Sequence, residues 1–404
     1  MADGRLIALS GHLRRAGPGD GDSPIEPSRC TLPTPLRVAV AGCHRQTTRK
    51  LAGHNFSSAL AVNPDVEIVA VFDHGVQTRA AFVECWQNST VGAQLESHDT
   101  MEAMLASARP DVVVIAARQT LHVEMIEAAV GAGVRGILVD KPLCASLSEC
   151  DRIIHACESA GVPLLYALDR RFSSRWATLR ATVAAGAVGA VRSVAVTGVS
   201  NTVNHGCHYT DIALGLMGDP EPVWVSAQLV ADAVREWAPP PPADTASLDP
   251  ASYCTVGFSN GAVATFNPAG SLGVDIVGDQ GRLVVWGDAV SATLWSNTTR
   301  AKEDVVLPAE DADSWPAGQR MVADLVKAIS TGSGRTACDT ACARRATEIA
   351  FGAHFSSDRG GARVELPLAV RTMRVESLPW GNQDAHHPDV AKSSNPNNPW
   401  ASPQ

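Results

Sequence analysis

Three short runs of the chain hold side chains that could do chemistry. Asp140-Lys141-Pro142 closes an apolar stretch, Asp169-Arg170-Arg171-Phe172 follows another, and residues 204–211 read Asn-His-Gly-Cys-His-Tyr-Thr-Asp. An amine and imidazoles can move protons or stabilise a developing oxyanion. His205, Cys207, His208 and Asp211 are equally metal-ligand types. Against a metal, adjacent residues rarely converge on one ion, and the sequence holds no second ligand cluster. A histidine packed in the core and a histidine that meets a ligand are both compatible with this spacing. Asn204, His208 and Asp211 stand four and three residues apart, so they would share one face if the segment enters a helix.

The element that must place Lys141 is a strand-helix-strand unit over residues 111–143. Residues 112–116 are a continuous apolar run, as expected of a parallel strand covered on both faces. Val123, Ile126 and Val130 follow at helical spacing, Gly131 and Gly133 stop the helix, and 136–139 is a second apolar strand that runs into Asp140. Ligands bind beyond the carboxyl ends of such strands, so Arg118, Gln119, His122 and Lys141 are expected to face one crevice.

Upstream, residues 36–41 form the first strand, closed by Gly42. A Gly-x-Gly-x-x-Gly phosphate loop would place its second glycine at 44, where the chain has His44, and the next glycine is Gly53. The loop 43–54 instead carries His44, Arg45, Arg49 and Lys50. These are either cations that hold a pyrophosphate or a solvated basic loop. A short helix with Phe56, Ala59 and Leu60 leads to a strand at 66–72, and Asp73 stands at its carboxyl end. An acid there accepts hydrogen bonds from adenosine ribose hydroxyls and repels a 2'-phosphate, which favours NAD over NADP unless Arg45 or Arg49 reaches the ribose.

Downstream, 146–160 is a helix with Ser146 and Glu149 spaced as a capping box, and 162–167 is a strand. After a helix carrying Trp176, Leu179 and Val183, the β-branched run 191–199 opens an antiparallel sheet with helices on one face. Residues 223–230 are a strand, and 232–249, with prolines at 239–242, an exposed excursion. Asn260-Gly261 marks a hairpin between 253–258 and 262–266, and Gln280-Gly281 a turn into 282–286. Helices follow at 319–329 and 339–355. The divisions are a disordered extension over 1–35, a first domain over 36–165, a second over 166–380 and a disordered tail over 381–404.

The 404 residues suffice for two cores, and 45% apolar with 19% charged residues is a soluble, globular composition. A net charge of -9 without a basic run argues against nucleic acid. No apolar segment approaches the roughly 20 residues that span a bilayer. Arg14-Arg15 precedes Gly, Pro and Asp rather than an apolar stretch, so no signal peptide is read and the expected location is cytoplasmic. The ten cysteines, scattered and without a Cys-x-x-Cys pair, agree with that.

Together these motifs resemble the Gfo/Idh/MocA oxidoreductases. Asp140-Lys141-Pro142 is similar to the family's Glu-Lys-Pro, residues 116–122 to its nicotinamide-side loop, and Asp169-Arg170-Arg171-Phe172 to its Asn/Gln-Arg-Arg-Phe. Residues 206–211 are similar to its Gly-x-His-x-x-Asp, and 360–368 to the close of its second domain. The resemblance implies an α/β fold: an N-terminal Rossmann-like, doubly wound parallel sheet, then an α/β domain whose large, open, mostly antiparallel sheet often mediates dimers or tetramers. It implies hydride transfer between nicotinamide and a sugar, cyclitol or similar polyhydroxylated metabolite, with Lys141 as the cation and His208 as the base. Asp169, Arg171, Asn204, Tyr209 and Asp211 would meet substrate. Gly42, Cys43, His44, Arg45, Asp73, His74, Ala116, Ala117, Arg118, His122, Asp140, Lys141 and Arg170 would meet NAD, with NADP the alternative. No metal and no membrane are implied. Where the family has Asp four residues before the histidine, this chain has Asn204, which orients a hydroxyl but takes no proton. The same cofactor could instead drive an elimination or epimerisation, and a non-catalytic sensor on this fold is the third reading.

Overall fold

A computed structural model describes residues 32–87, 95–230, 249–311 and 314–375. The chain opens with β1 (Leu36–Ala41), α1 (Phe56–Ala61), β2 (Val66–Phe72), α2 (Val76–Trp86), β3 (Glu96–His98), α3 (Met101–Ala108), β4 (Val112–Ile115), α4 (Gln119–Gly131), β5 (Gly136–Val139), α5 (Leu147–Ala160) and β6 (Leu164–Tyr166). All six strands pair in parallel, in the order β3-β2-β1-β4-β5-β6. β4 and β5 are buried along their whole length, which is why they read as unbroken apolar runs. Each such Val, Ile or Leu contributes about 1.5–3 kcal/mol by leaving water. The strand order reverses between β1 and β4, and the crevice beyond their carboxyl ends is the ligand position of such sheets.

The Ser146 hydroxyl caps α5 by accepting from Glu149 N at 3.2 Å, and Glu149 Oε2 in turn accepts from Ala145 N at 2.8 Å. Residues 162–167 were expected as a strand, and only Leu164–Tyr166 pair. The sequence reading did not foresee α2, β3 or α3. α2 buries only Phe82 and Trp86, so its apolar period is faint.

A three-ten turn, Asp169–Phe172, leads through α6 (Ser174–Ala184) to β7 (Val191–Thr197), α7 (Gly206–Leu216), β8 (Pro222–Leu229), β9 (Ser252–Phe258), β10 (Val263–Asn267), β11 (Gly273–Gly278), β12 (Gly281–Trp286), β13 (Ser291–Ser296) and β14 (Lys302–Asp304). α8 (Pro316–Ser330), α9 (Thr340–Ser357) and β15 (Val364–Glu365) follow. These strands form a second sheet, β14-β13-β12-β11-β7-β10-β9-β8-β15, antiparallel except for the β7/β10 pair. The Asn260-Gly261 hairpin joins β9 and β10 as expected, with Gly261 at φ 82° where a side chain would be strained. One face of the sheet packs on α6, α7 and α9 through Leu179, Leu214 and Phe351. The other leaves Tyr253, Val277, Trp286 and Trp295 exposed.

α8 returns to the first sheet. Its Met321, Val322, Leu325 and Val326 join the core around β5 and β6, and a Cβ at Gly136 would lie 2.6 Å from Ile329 Cδ1. The excursion expected at 232–249 lies outside the described residues except for Asp249, which is buried rather than exposed. The regions 1–31 and 376–404, expected to be mostly extension and tail, also lie outside them. Among the described residues no helix is long and apolar enough to cross a membrane.

Candidate active site

The end of β5 carries the centre of the site. Asp140 N donates to Ile115 O at 2.8 Å, which prolongs the parallel pairing by one residue and delivers Asp140 and Lys141, both buried, into the crevice. Asp140 Oδ1 accepts from Lys141 N at 2.8 Å and lies 2.7 Å from His54 Nδ1. Lys141 Nζ donates to Asn204 Oδ1 at 2.6 Å, joining two segments 63 residues apart in the chain. Asn204 was expected to share a helix face with His208 and Asp211. It lies in the turn before α7, which begins at Gly206. Asp249 explains the turn: its carboxylate accepts from Val203 N at 2.8 Å and Asn204 N at 2.9 Å. Those donors precede the helix and are left without helical partners.

His208, in the first turn of α7, is buried, and its Nδ1 lies 3.4 Å from Asp169 Oδ1. Around it stand His54, with ring centroids 6.1 Å apart, and His205 at 6.5 Å. Burial, then Arg170, Lys141, His54 and His205, hold the His208 imidazole well below its ordinary pKa, so it is neutral at physiological pH. His205, whose Nδ1 is 2.8 Å from Ser200 Oγ, is pushed down to about 3, by burial first and by the Lys141 charge second. Burial also lowers Lys141, with Asp140 opposing. For Asp140 burial works upward, and His54, Lys141 and Arg45 overcome it and keep the carboxylate ionised. Burial pushes the Cys207 thiol up to about 12, so it is a neutral neighbour whose Sγ donates to Asn204 O at 3.1 Å.

The remaining expected substrate residues divide. Tyr209 is half-buried beneath the Arg170 guanidinium, 5.9 Å from its ring centroid, and Arg170 also pairs with Asp288 at 2.7 Å. Arg171 and Asp211 are joined to each other. Arg171 Nε donates to Asp211 Oδ1 at 2.7 Å, while its Nη1 and Nη2 donate to Asp219 at 2.8 and 2.7 Å. That geometry clamps the three-ten turn to α7 and occupies the groups expected to meet substrate.

On the nucleotide side, Gly42 has φ 82°, and a Cβ there would lie 2.6 Å from Ala117 N. The turn after β1 therefore fits against half-buried Ala116 and Ala117 only as glycine. Asp73, at the end of β2, accepts from Cys43 N at 2.9 Å and Gly75 N at 2.8 Å, with the Cys43 thiol a third donor, and its carboxylate retains acceptor capacity for a ribose hydroxyl. This set fits a dinucleotide: a glycine turn at the switch point, a carboxylate at β2 and a lysine at β5. His44 and His74 are exposed, Arg45 is half-buried, and Arg118 is the residue that precedes α4.

One open alternative is settled here and one expectation is corrected. Arg49 does not reach the crevice, because its guanidinium lies over Trp86 and donates to Cys85 O at 2.8 Å. His122 does not face the crevice either. It is fully buried with ring nitrogens 3.0 Å from Ala117 O and Leu143 O, fastening α4 to the two strand ends. The sequence reading missed His54 and Gln46. Gln46, wholly buried, donates from Nε2 to His54 O at 2.6 Å and accepts from Ser57 N at 2.9 Å, so the loop is built rather than loose. Among the described residues no group of three or more His, Cys, Asp or Glu side chains could hold a metal ion.

Residues 36–168 match the model of an oxidoreductase family with an NAD-binding Rossmann fold, Gfo/Idh/MocA. The chain is 25% identical over 268 residues to the D-glucoside 3-dehydrogenase of Escherichia coli (strain K12), an alignment that covers 60% of this chain and 72% of that one. In fold it is similar to a levoglucosan dehydrogenase solved with NADH and levoglucosan, with TM-score 0.66 and 18% identity over 83% of this chain and 100% of that one. An inositol dehydrogenase homolog from Azotobacter vinelandii, solved with NADH and myo-inositol, gives TM-score 0.66 and 15% identity over 83% and 98%. The part of the chain that matches the Gfo/Idh/MocA oxidoreductases is thus its NAD-binding Rossmann domain, residues 36–168, and the pair of sheets is similar to that of the solved dehydrogenases.

Proposed function

We propose that the protein is an NAD-dependent dehydrogenase that acts on a secondary hydroxyl of a sugar, cyclitol or similar polyhydroxylated ring. Residues 36–165 would bind the nucleotide and 166–380 would supply most of the substrate wall. The observation that carries this reading is Lys141, a buried amine at the carboxyl end of β5 held 2.6 Å from Asn204 and close to a neutral, buried histidine. NAD, when bound, supplies the hydride acceptor. The protein's own work is to hold the hydroxyl, polarise its oxygen and remove its proton. Lys141 supplies the positive charge for the developing alkoxide and His208 accepts the proton. Asn204 orients Lys141 and offers its amide to a neighbouring hydroxyl. Arg171 and Asp211 act by holding the three-ten turn against α7, so that Asp169 stays 3.4 Å from His208.

We read the exposed face of the second sheet, with Trp286 and Trp295, as a contact between copies in a dimer or tetramer. The nine free cysteines of the described residues support a reducing, cytoplasmic location. Titration of the purified protein with NAD, NADH, NADP and NADPH tests the reading. Micromolar binding of the NAD pair, weakened by Asp73→Ala, is expected. Binding of none of the four would contradict it.

A further inference from the structure

A proton taken by His208 has to leave a buried ring that stands beside the Arg170 and Lys141 charges. His208 is 3% exposed, and Arg170, Lys141, His54 and His205 all act on it. An imidazolium there is disfavoured, so turnover requires a second acceptor that reaches water. His54 has the geometry of one. Its ring lies edge-on to His208 at 6.1 Å between centroids, a separation over which a proton can pass through one water. Its side chain is 19% exposed, against 4% for His208.

The tautomer follows from its partner. Asp140 is an ionised carboxylate and only accepts, so His54 Nδ1, 2.7 Å away, carries a hydrogen, and in the neutral ring Nε2 then carries the lone pair. The same carboxylate stabilises the imidazolium that forms when Nε2 is protonated. Lys141 beside Asp140 and Arg45 in the same loop are the charged groups that act here, and His205 and His208, on α7 or at its start, are the other titratable ones. Phe56, with ring centroid 6.2 Å away, borders the ring. The placement is built from below. His54 has φ 66°, uncommon for a residue with a side chain, and buried Gln46 holds its carbonyl.

We propose that His54, oriented by Asp140, is the proton relay that carries the substrate's hydroxyl proton from His208 to solvent. The inference rests on the dehydrogenase reading above. The substrate O–H bond breaks as the carbon's hydrogen leaves with its electron pair to the nicotinamide. The proton passes to His208, then to His54 Nε2, then to water, with no electrons exchanged in the last two steps.

His54→Asn tests it, because the asparagine amide keeps a donor toward Asp140 at the position of Nδ1 and removes the proton carrier. The expected result is unchanged nucleotide affinity, kcat lower by about 100-fold, and recovery of rate as imidazole is added. Unchanged kcat, or a loss that imidazole does not restore, would overturn the relay and leave His54 a fastening for the loop. Nitrogen NMR of the histidine rings separates this from failure of the dehydrogenase reading, since it needs no substrate. An Nδ1–H tautomer at His54 that is lost in Asp140→Asn supports the relay even where no nucleotide binds, and an Nε2–H tautomer in the wild type overturns it.

Discussion

The contact between Lys141 Nζ and Asn204 Oδ1 sets the electrostatics of the site. An amide at 2.6 Å satisfies one ammonium proton without adding a negative charge, so burial is free to lower the lysine's pKa. Lys141 must be charged to stabilise an alkoxide, and activity is therefore lost as pH rises through its pKa. Asn204→Asp places a carboxylate at the same distance and favours the charged form. The alkaline limb of kcat/KM is expected to move to higher pH by about 1 unit or more. A limb that stays in place would separate Asn204 from the titration of Lys141. Lys141 and His208 were legible because each sits in a run of chemistry-bearing types. His54 was not, because its partner Asp140 lies 86 residues away and the loop between β1 and α1 has no period to read.

At the scale of elements, the three-ten turn and α7 are held in register by a buried arginine and two carboxylates. Replacing Arg171 with Met leaves Asp211, 3% exposed, without its cation. Stripping one partner from a buried pair costs about 3–5 kcal/mol, and urea unfolding is expected to read a loss of that order, partly recovered in the double variant with Asp211→Leu. A loss below about 1 kcal/mol, typical of an exposed pair, would contradict the clamp. Elements were read best where the local pattern decides them. β2 was read with both its ends because Val66 and the apolar run 68–72 lie between Asp65 and Asp73, and α5 was announced by its capping box. The turn before α7 is decided by Asp249, 45 residues from Asn204, so no local pattern announces it.

Across the whole molecule, two sheets of different character meet the two halves of the task. The inner strands of the parallel sheet are buried on both faces and present their ends to a nucleotide. The larger sheet is covered on one face only, and its open face carries Trp286, 56% exposed, and Trp295, 41% exposed. Apolar side chains on such a face mark a contact surface. Light scattering is expected to find a dimer or tetramer that Trp286→Asp with Trp295→Asp dissociates, and a monomeric wild type would remove the interface. Hydride transfer at Lys141 is checked by incubating the protein with NAD and a panel of sugars and cyclitols deuterated at their carbinol carbons. Deuterium is expected in the reduced nicotinamide for at least one of them, with the rate lower by about 100-fold or more in Lys141→Ala and nucleotide affinity retained. Bound nucleotide with no label transferred from any polyol, or transfer that Lys141→Ala leaves intact, would contradict it.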